Sequence, residues 1–396
     1  MTPTRAAVAI PAALVVLSGC GMVAAHTPKT TTVSVALPAS APAISPERLT
    51  RPLNMIAPTP TYVVATVGIS GTSEWLEIMT PSGAVVARTK IDPTETWMTA
   101  AGAGGAYWTA NGAEYELSVS GAVRKLGPVP SDASSVLIGP DGSSYAYATS
   151  DSLNSDPGNY SLLNKITVVH PGAPAKVIAD RVATAADPWS GQSGWDYYLV
   201  SWSDAGIAFA RVPAGGCGCR SFDMQMQSAY SAIIDPVSLG MTTVTASTSC
   251  PLSDIGPGLE AVCFDGSYAT DAIRFSSGGT VIHNYALSGK NFAGDALFSD
   301  DASRLAYITI PITEDQCNGT GGPITATLRV MDIATGTVVS RAMGDFVPSA
   351  WAGGVIFGSV TSASGADSWL VGVNPSTLSV TRLSPDTANT GIVGIM

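Results

Sequence analysis

The sequence predicts an all-β chain, and three observations carry that expectation. From Tyr62 onward, short alternating or apolar runs are separated by Gly, Asp, Asn and Pro, and no stretch keeps the apolar period of an amphipathic helix. Turn formers abound, with 41 glycines and 27 prolines among 396 residues. A pattern of apolar strand, tight turn and second apolar strand recurs along the chain.

The recurrence can be aligned. Leu-Ile-Gly-Pro-Asp-Gly-Ser-Ser-Tyr-Ala-Tyr-Ala-Thr at 137–149 matches Leu-Phe-Ser-Asp-Asp-Ala-Ser-Arg-Leu-Ala-Tyr-Ile-Thr at 297–309 without gaps. Trp202-Ser203-Asp204-Ala205-Gly206-Ile207-Ala208-Phe209-Ala210 is a third copy, shortened in the turn. These residues resemble the repeat of TolB-like and WD-type β-propellers, in which a Trp-Ser-Pro-Asp-Gly turn precedes Ile-Ala-Phe. The resemblance implies a propeller and no particular chemistry.

With that template about seven units are expected, starting near Tyr62, Thr96, Ser134, Gly194, Ile255, Gly294 and Pro348. Their spacing is near the forty or so residues of a four-stranded blade, and six or eight units also satisfy it. The first unit supplies three clear strands, Tyr62–Val67, Trp75–Met79 and Ala84–Thr89. The chain ends in the apolar run Gly391-Ile392-Val393-Gly394-Ile395-Met396. That run is therefore expected to complete the first unit as its innermost strand, closing the ring and removing free sheet edges.

The N-terminal segment reads as an export signal. Arg5 makes a short positive region, Ala6–Leu17 is apolar, and Ser18-Gly19 supplies small residues before Cys20. About a dozen apolar residues fall short of the roughly 20 that span a bilayer. Leu17-Ser18-Gly19-Cys20 resembles a bacterial lipoprotein signal, residues 1–19. The resemblance implies that Cys20 becomes the N-terminus, with a diacylglycerol on its sulfur, and that several acyl chains anchor it to the cell membrane. Residues 20–60 carry Pro28, Pro38, Pro42, Pro46, Pro52, Pro58 and Pro60 among Thr, Ala and Ser and predict a disordered, extended tether. The folded domain is expected over 61–396.

Composition excludes some partners. Only 12% of residues are charged and the net charge is −11, so the Lys/Arg clusters that hold nucleic acid or a polybasic membrane contact are missing. The expected partners are the membrane, through the lipid on Cys20, and a protein or glycan of the cell envelope, bound by a monomer. No cofactor and no metal are expected.

In a propeller, the connections between the second and third strands of a blade, and those between blades, emerge on one face. Ser150 to Lys165, Pro213 to Asp223 and Pro311 to Thr325 are expected there as long loops, the kind that carry function more often than not. Asp187, Trp189, Gln192, Trp195 and Asp196 would open on that face as a surface for sugar stacking or peptide binding, or else pack between blades. Glu314 and Asp315 would join them. The remaining cysteines, Cys217, Cys219, Cys250, Cys263 and Cys317, should also cluster there. Export favours disulfides: Cys250 with Cys263, and Cys317 with Cys217 or Cys219. A metal site at Cys217-Gly218-Cys219 is disfavoured by the single intervening residue and the lack of an adjacent His.

No nucleophile elbow, zinc-protease, phosphate-loop or dinucleotide motif occurs. Of the three histidines, His26 lies in the tether, His170 at a turn and His283 in an apolar strand. No catalytic residue is assigned. The favoured reading is a non-catalytic binding or scaffold module; the alternative is a surface-anchored glycan hydrolase or lyase using loop carboxylates, which need no local motif. A role in envelope complexes like those of TolB-like proteins rests on fold analogy alone.

Overall fold

Alternation of Val, Ile, Thr and Tyr with small or polar residues builds strands throughout, and the described residues contain no α-helix. The computed structural model describes residues 62–69, 73–92, 94–155, 160–184, 195–213, 230–245, 250, 252–256, 258, 260–265, 272–287, 291–311, 325–362, 367–384 and 390–396. All of them belong to the unit Ile56–Met396. The signal segment, Cys20 and the Pro-rich stretch lie outside the described residues.

Every paired strand is antiparallel to its neighbour. Strands β1 (Val63–Ile69), β2 (Ser73–Met79) and β3 (Val85–Ile91) form a sheet with β27 (Thr390–Ile395), in the order β27-β1-β2-β3. Three sheets follow in chain order: β4 (Thr96–Gly102) to β7 (Val123–Pro128), through β5 (Gly105–Ala110) and β6 (Ala113–Ser118); then β8 (Ala133–Ile138), β9 (Tyr145–Asn154), β10 (Ser161–Val169) and β11 (Lys176–Thr184); then β12 (Trp195–Ser203), β13 (Gly206–Pro213), β14 (Tyr230–Ile234) and β15 (Met241–Thr245). The next contains β16 (Leu252–Ile255), β17 (Ala261–Asp265), β18 (Ala272–Ser277) and β19 (Thr280–Ala286). A seven-stranded sheet holds β20 (Asn291–Phe298), β21 (Arg304–Pro311), β22 (Ala326–Asp332), β23 (Val338–Ala352), β24 (Val355–Thr361), β25 (Ser368–Val373) and β26 (Val380–Arg382).

That long sheet is two four-stranded patterns sharing one strand. Residues up to Gly344 of β23 pair with β22, and residues from Asp345 pair with β24. Gly344 sits at the changeover with φ +72°, a left-handed conformation that glycine adopts without a Cβ penalty. The first strands of the four-stranded patterns begin at Thr96, Ala133, Trp195, Leu252, Asn291 and Asp345, with β1 at Val63, within three residues of the starts expected from the repeat.

The aligned repeat is one turn built twice. Between β8 and β9, Asp141 Oδ1 accepts the N–H groups of Ser143 and Ser144 at 2.9 and 2.7 Å, and Gly142 has φ +65°. Between β20 and β21, Asp301 Oδ1 accepts Ser303 N–H at 3.1 Å, and Ala302 takes φ +53°. The closing backbone bonds agree as well: Gly139 N to Ser144 O at 2.8 Å, and Ser299 N to Arg304 O at 2.9 Å. Asp side chains cap such turns because their oxygens reach backbone donors two and three residues on. Hydroxyls of Ser299 and Ser303, with the Ser303 N–H, hold the Asp301 carboxyl down at about 2.

Apolar clusters join successive sheets face to face. Val64, Leu76 and Ile78 meet Ala106, Trp108 and Leu117; Tyr107 meets Val136, Ile138 and Tyr145; and Ile166 and Val168 meet Trp195, Tyr197 and Phe209. Ala208 and Ile233 then meet Leu252 and Ala261; Val262 and Phe275 meet Ala293, Phe298 and Leu305; and Leu328 and Val330 meet Trp351 and Ile356. A seventh cluster brings Ala350, Phe357 and Leu370 against Val63, Ala65 and Met79, so the last four-stranded pattern packs on the first described sheet. Burial of such side chains stabilises by about 1.5–3 kcal/mol each.

Cys250 and Cys263 form a disulfide, as the sequence predicts, tying the entry of β16 to its partner β17 across a separation of 13 residues. Cys217, Cys219 and Cys317 lie outside the described residues. Closing so short a loop restricts the unfolded chain by about 3 kcal/mol or less. Replacing both cysteines by serine should lower stability to denaturant by about 2 kcal/mol; an unchanged unfolding midpoint would show that the bridge contributes nothing.

Candidate functional site

The two ends of the strands differ in what they carry. First-to-second connections are short, such as 103–104 between β4 and β5, 204–205 between β12 and β13, and Gly353-Gly354 between β23 and β24. Third-to-fourth connections are short as well: Asp235–Gly240, 333–337 and Asn374–Ser379 each close with backbone bonds. Second-to-third connections and those between sheets leave the opposite strand ends and include the longest segments, 185–194, 214–229 and 312–325.

One expected loop is instead strand. β9 continues to Asn154 and β10 begins at Ser161, with Ser161 paired to Asn154 and Asn164 to Ser150. The expected Ser150–Lys165 loop is therefore mostly a hairpin extension, because Leu162, Leu163 and Ile166 continue the β10 pairing and Lys165 Nζ bonds Asp151 Oδ2 at 2.6 Å across the strands. The Pro213–Asp223 and Pro311–Thr325 expectations fall mainly on residues outside the described set, as do Asp187, Trp189, Gln192, Glu314 and Asp315.

Trp195 and Asp196 are described, and they do different things. Trp195 is 2% exposed. Its ring meets Tyr197 edge-on at 5.2 Å and lies beneath the Arg211 guanidinium at 4.8 Å. Enclosed in this way it packs two sheets together and has no free face for a ligand, which takes it out of the expected binding surface. Asp196, next along β12, points to the opposite side because strand side chains alternate, and it is half-buried.

Asp196 Oδ1 accepts a hydrogen bond from the Ser150 hydroxyl at 2.5 Å. The same hydroxyl contacts Asn164 Oδ1, and Asn164 Nδ2 donates to the Trp195 carbonyl at 2.6 Å. Three strands, β9, β10 and β12, thus converge on one polar cluster at the loop-bearing end. Asn164 is fully buried, so its bonds are needed to offset its lost hydration. The sequence carried a sign of this that went unread: Asn164 interrupts the apolar run Leu162-Leu163-Asn164-Lys165-Ile166 at an inward position.

The histidines stand apart from this cluster. His170, in the turn after β10, places Nδ1 2.7 Å from Ser144 Oγ, while Ser144 Oγ donates to Asp141 Oδ2 at 2.6 Å. Burial works to raise the Asp141 carboxyl, and hydrogen bonds from Ser144 and Ser143 outweigh it, so the group is held below its ordinary range. An ionised carboxylate only accepts, so the single Ser144 hydrogen goes to Asp141 and His170 must donate. That order is the reverse of a serine nucleophile activated by its base. His283 lies on β19, an apolar but mostly exposed outer strand, stacked on Tyr285 at 6.0 Å.

Burial pushes three carboxyls well above their usual range: Glu114 to about 7, Asp254 to about 6 and Asp295 to about 7. Hydrogen bonds from Thr109 to Glu114, and from the Phe298 and Ile255 backbone to Asp254, work in the opposite sense without cancelling the effect. Glu114 is 1% exposed, so a substrate does not reach it in this arrangement. Among the described residues no three His, Cys, Asp or Glu side chains are grouped to hold a metal ion.

No protein-family model matches this sequence, and no curated protein matches it. Solved structures do resemble it in fold. TolB from Acinetobacter baumannii aligns at 10% identity over 85% of this chain and 83% of its own, with a TM-score of 0.43. A protein assigned as TolB from Agrobacterium tumefaciens aligns at 15% identity over 71% and 88%, with a TM-score of 0.38. The acylaminoacyl peptidase of Pyrococcus horikoshii aligns at 10% identity over 82% of this chain and 50% of its own, with a TM-score of 0.53. At such identities likeness speaks to fold alone, and the fold in which antiparallel four-stranded sheets follow one another in this way is the β-propeller.

Proposed function

We propose that this chain is a lipid-anchored, extracytoplasmic binding module: a closed propeller of seven blades, held to a membrane through acylated Cys20, whose loop-bearing end engages a protein or a cell-envelope glycan. Counting β23 once for each sheet pattern it serves yields seven blades, and the pairing of β27 with β1 supports closure. The observation that carries the binding reading is the asymmetry of the connections. One end is trimmed to short hydrogen-bonded turns; the long connections leave the other end, where the Asp196 carboxylate is braced by Ser150. Loops on a rigid scaffold are where recognition is usually built. The glycan hydrolase or lyase reading would need a second carboxylate facing Asp196 across a substrate, and the residues expected to supply it, Glu314 and Asp315, lie outside the described set.

Two measurements on the full chain in a bacterial host test this. Cys20→Ser should shift the protein from the membrane fraction to the soluble one; retention in the membrane overturns the anchor. A photo-crosslinking residue at position 196 should capture a discrete envelope component that the same residue at Val281, on the exposed outer strand β19, does not. Identical products from both positions would remove the binding face. Turnover of an envelope glycan by the wild type, lost in Asp196→Asn, would move the assignment to the hydrolase or lyase.

A further inference from the structure

A pocket of about 210 Å³ opens between β19 and strands β21 and β22 of the following sheet. Tyr285, Ala286 and Leu287 form one wall; Tyr307, Thr309, Arg329 and Met331 form the other. The space equals that of about seven waters in the liquid, smaller than the 300–1,000 Å³ that holds a drug-sized ligand. A small molecule or a single projecting group would fill it.

The polar groups in this pocket are what set it apart. β21 and β22 put Tyr307 directly opposite Arg329, so the two side chains rise from the same face as cross-strand neighbours. The sheet-to-sheet cluster here is otherwise apolar, with Phe275, Phe298, Leu305 and Met331 around it. Arg329 Nε donates to Thr309 Oγ1 at 3.0 Å. That bond fixes the plane of the guanidinium, and among the described residues no carboxylate pairs with it. Arg88, Arg124, Lys165 and Arg274 all have acidic partners. Tyr307 is 1% exposed, yet among the described residues its hydroxyl has no hydrogen-bond partner. That oxygen opens on the pocket rather than being sealed in the core, so it is placed to donate to a ligand oxygen there.

The glycine at the turn keeps the pocket open. A Cβ on Gly336 would stand 2.6 Å from Tyr285 Cε1, and Gly336 has φ +70°. The Tyr285 ring leans on that turn, its hydroxyl donating to the Ile333 carbonyl. The pocket is thereby walled by two flat rings, with a planar cation and a phenolic O–H as its donors.

We infer that this inter-sheet pocket binds a carboxylate attached to a small flat or apolar body, with the Arg329 guanidinium pairing with the carboxylate and the Tyr307 hydroxyl donating to one of its oxygens. Guanidinium presents a planar fork of donors that matches a carboxylate in two parallel bonds. Phosphate would suit the fork too, but the aromatic walls favour a group with an apolar body. The net charge of −11 repels anions at long range. Screening limits that repulsion to about 8–10 Å at physiological salt, so the local cation governs binding once a ligand arrives. The site is separate from the loop-bearing cluster around Asp196 and does not depend on it.

Titration of the full-length protein with benzoate, N-acetylphenylalanine and benzamide, followed by ligand-observed NMR, tests the inference. Benzoate stands for a free small acid, N-acetylphenylalanine for a peptide C-terminus, and benzamide for the uncharged shape. Saturable binding of at least one acid is expected, with benzamide at least tenfold weaker, and the stronger of the two acids identifies the source of the carboxylate. Arg329→Met keeps the aliphatic stem and should weaken the acid at least tenfold; Tyr307→Phe should weaken it several-fold at unchanged melting temperature. Should Arg329→Met fail to fold, Arg329→Lys retains charge without the fork and should still lose affinity severalfold. Equal binding of benzamide, no saturable binding of either acid, or full affinity in the Arg329 variants would each overturn the inference.

Discussion

Removing residues 390–396 should lower the melting temperature by more than about 10 °C or abolish cooperative unfolding altogether. β27 bonds to β1 from Val67↔Thr390 to Val63↔Ile395, and Tyr62 and Met396 exchange backbone hydrogen bonds at 2.9 and 3.0 Å. Its apolar side chains serve two interfaces at once. Val393 and Met396 pack on the cluster shared with β5 and β6, while Ile392 and Ile395 pack on the one shared with β24 and β25. Thr390 N–H also donates to Ser368 Oγ at 2.6 Å, reaching the last sheet directly. Four half-buried apolar side chains contribute on the order of 5 kcal/mol, comparable to the whole stability of many domains. Val63, Val64 and Ala65, all fully buried, would meet water, and β1 would become an open edge available to another chain. Aggregation should rise together with the loss of stability. Val380→Lys on the exposed outer strand β26 is the control and should change the melting temperature little. A truncated chain melting at the wild-type temperature would mean that the terminal strand is an ornament rather than the closing member.

Much of this architecture was legible because turns write themselves into sequence. Asp141-Gly142 and Asp301-Ala302 mark the same hydrogen-bonded turn, and their alignment was sufficient to set strand starts within a few residues. A second repeat went unread. Asp235-Pro-Val-Ser-Leu239, Asp332-Ile-Ala-Thr-Gly336 and Asn374-Pro-Ser-Thr-Leu378 share an Asp or Asn that caps the turn and a fifth residue at positive φ, whose N–H returns to the first carbonyl at 2.8 Å. Leucine at that fifth position hid the pattern, since a left-handed leucine is held there by the surrounding turn and not by its own preference. The candidate site was legible only in part. Asp196 could be placed at the loop-bearing end from strand order, but Trp195 lies one residue away on the inward face, and a two-residue period that is uncertain by one cannot separate them. Ser150 and Asn164 come from other strands, and their meeting with Asp196 depends on how two sheets pack, which no local pattern encodes. Arg329 and Tyr307 likewise become neighbours only through the register of β21 on β22.

The second large effect is on pH dependence, and its sign follows from the buried acids. Glu114, Asp254 and Asp295 are pushed up by burial to about 7, 6 and 7, whereas in the unfolded chain such groups titrate near 4. Between those values the folded state holds more protons than the unfolded one, so stability falls as pH rises from about 4 to about 7 and is level above that. For Glu114 alone, moving from 4.5 to about 7 corresponds to about 3 kcal/mol at pH 8. The turn aspartates act in the opposite sense at lower pH. Asp301, held at about 2 by Ser299 and Ser303, contributes stability that is lost as pH falls below about 4 towards 2. The melting temperature should therefore peak near pH 4–5 and stand several degrees higher at pH 5 than at pH 8. Glu114→Gln removes the charge while keeping the shape and a group for Thr109 to bond. It should raise the melting temperature at pH 8 and leave it nearly unchanged at pH 5. A wild-type protein that melts higher at pH 8, or a glutamine variant destabilised equally at both pH values, would show that Glu114 is ionised in the fold and paired with a charge, because only a paired carboxylate could be held in so enclosed a position without the proton.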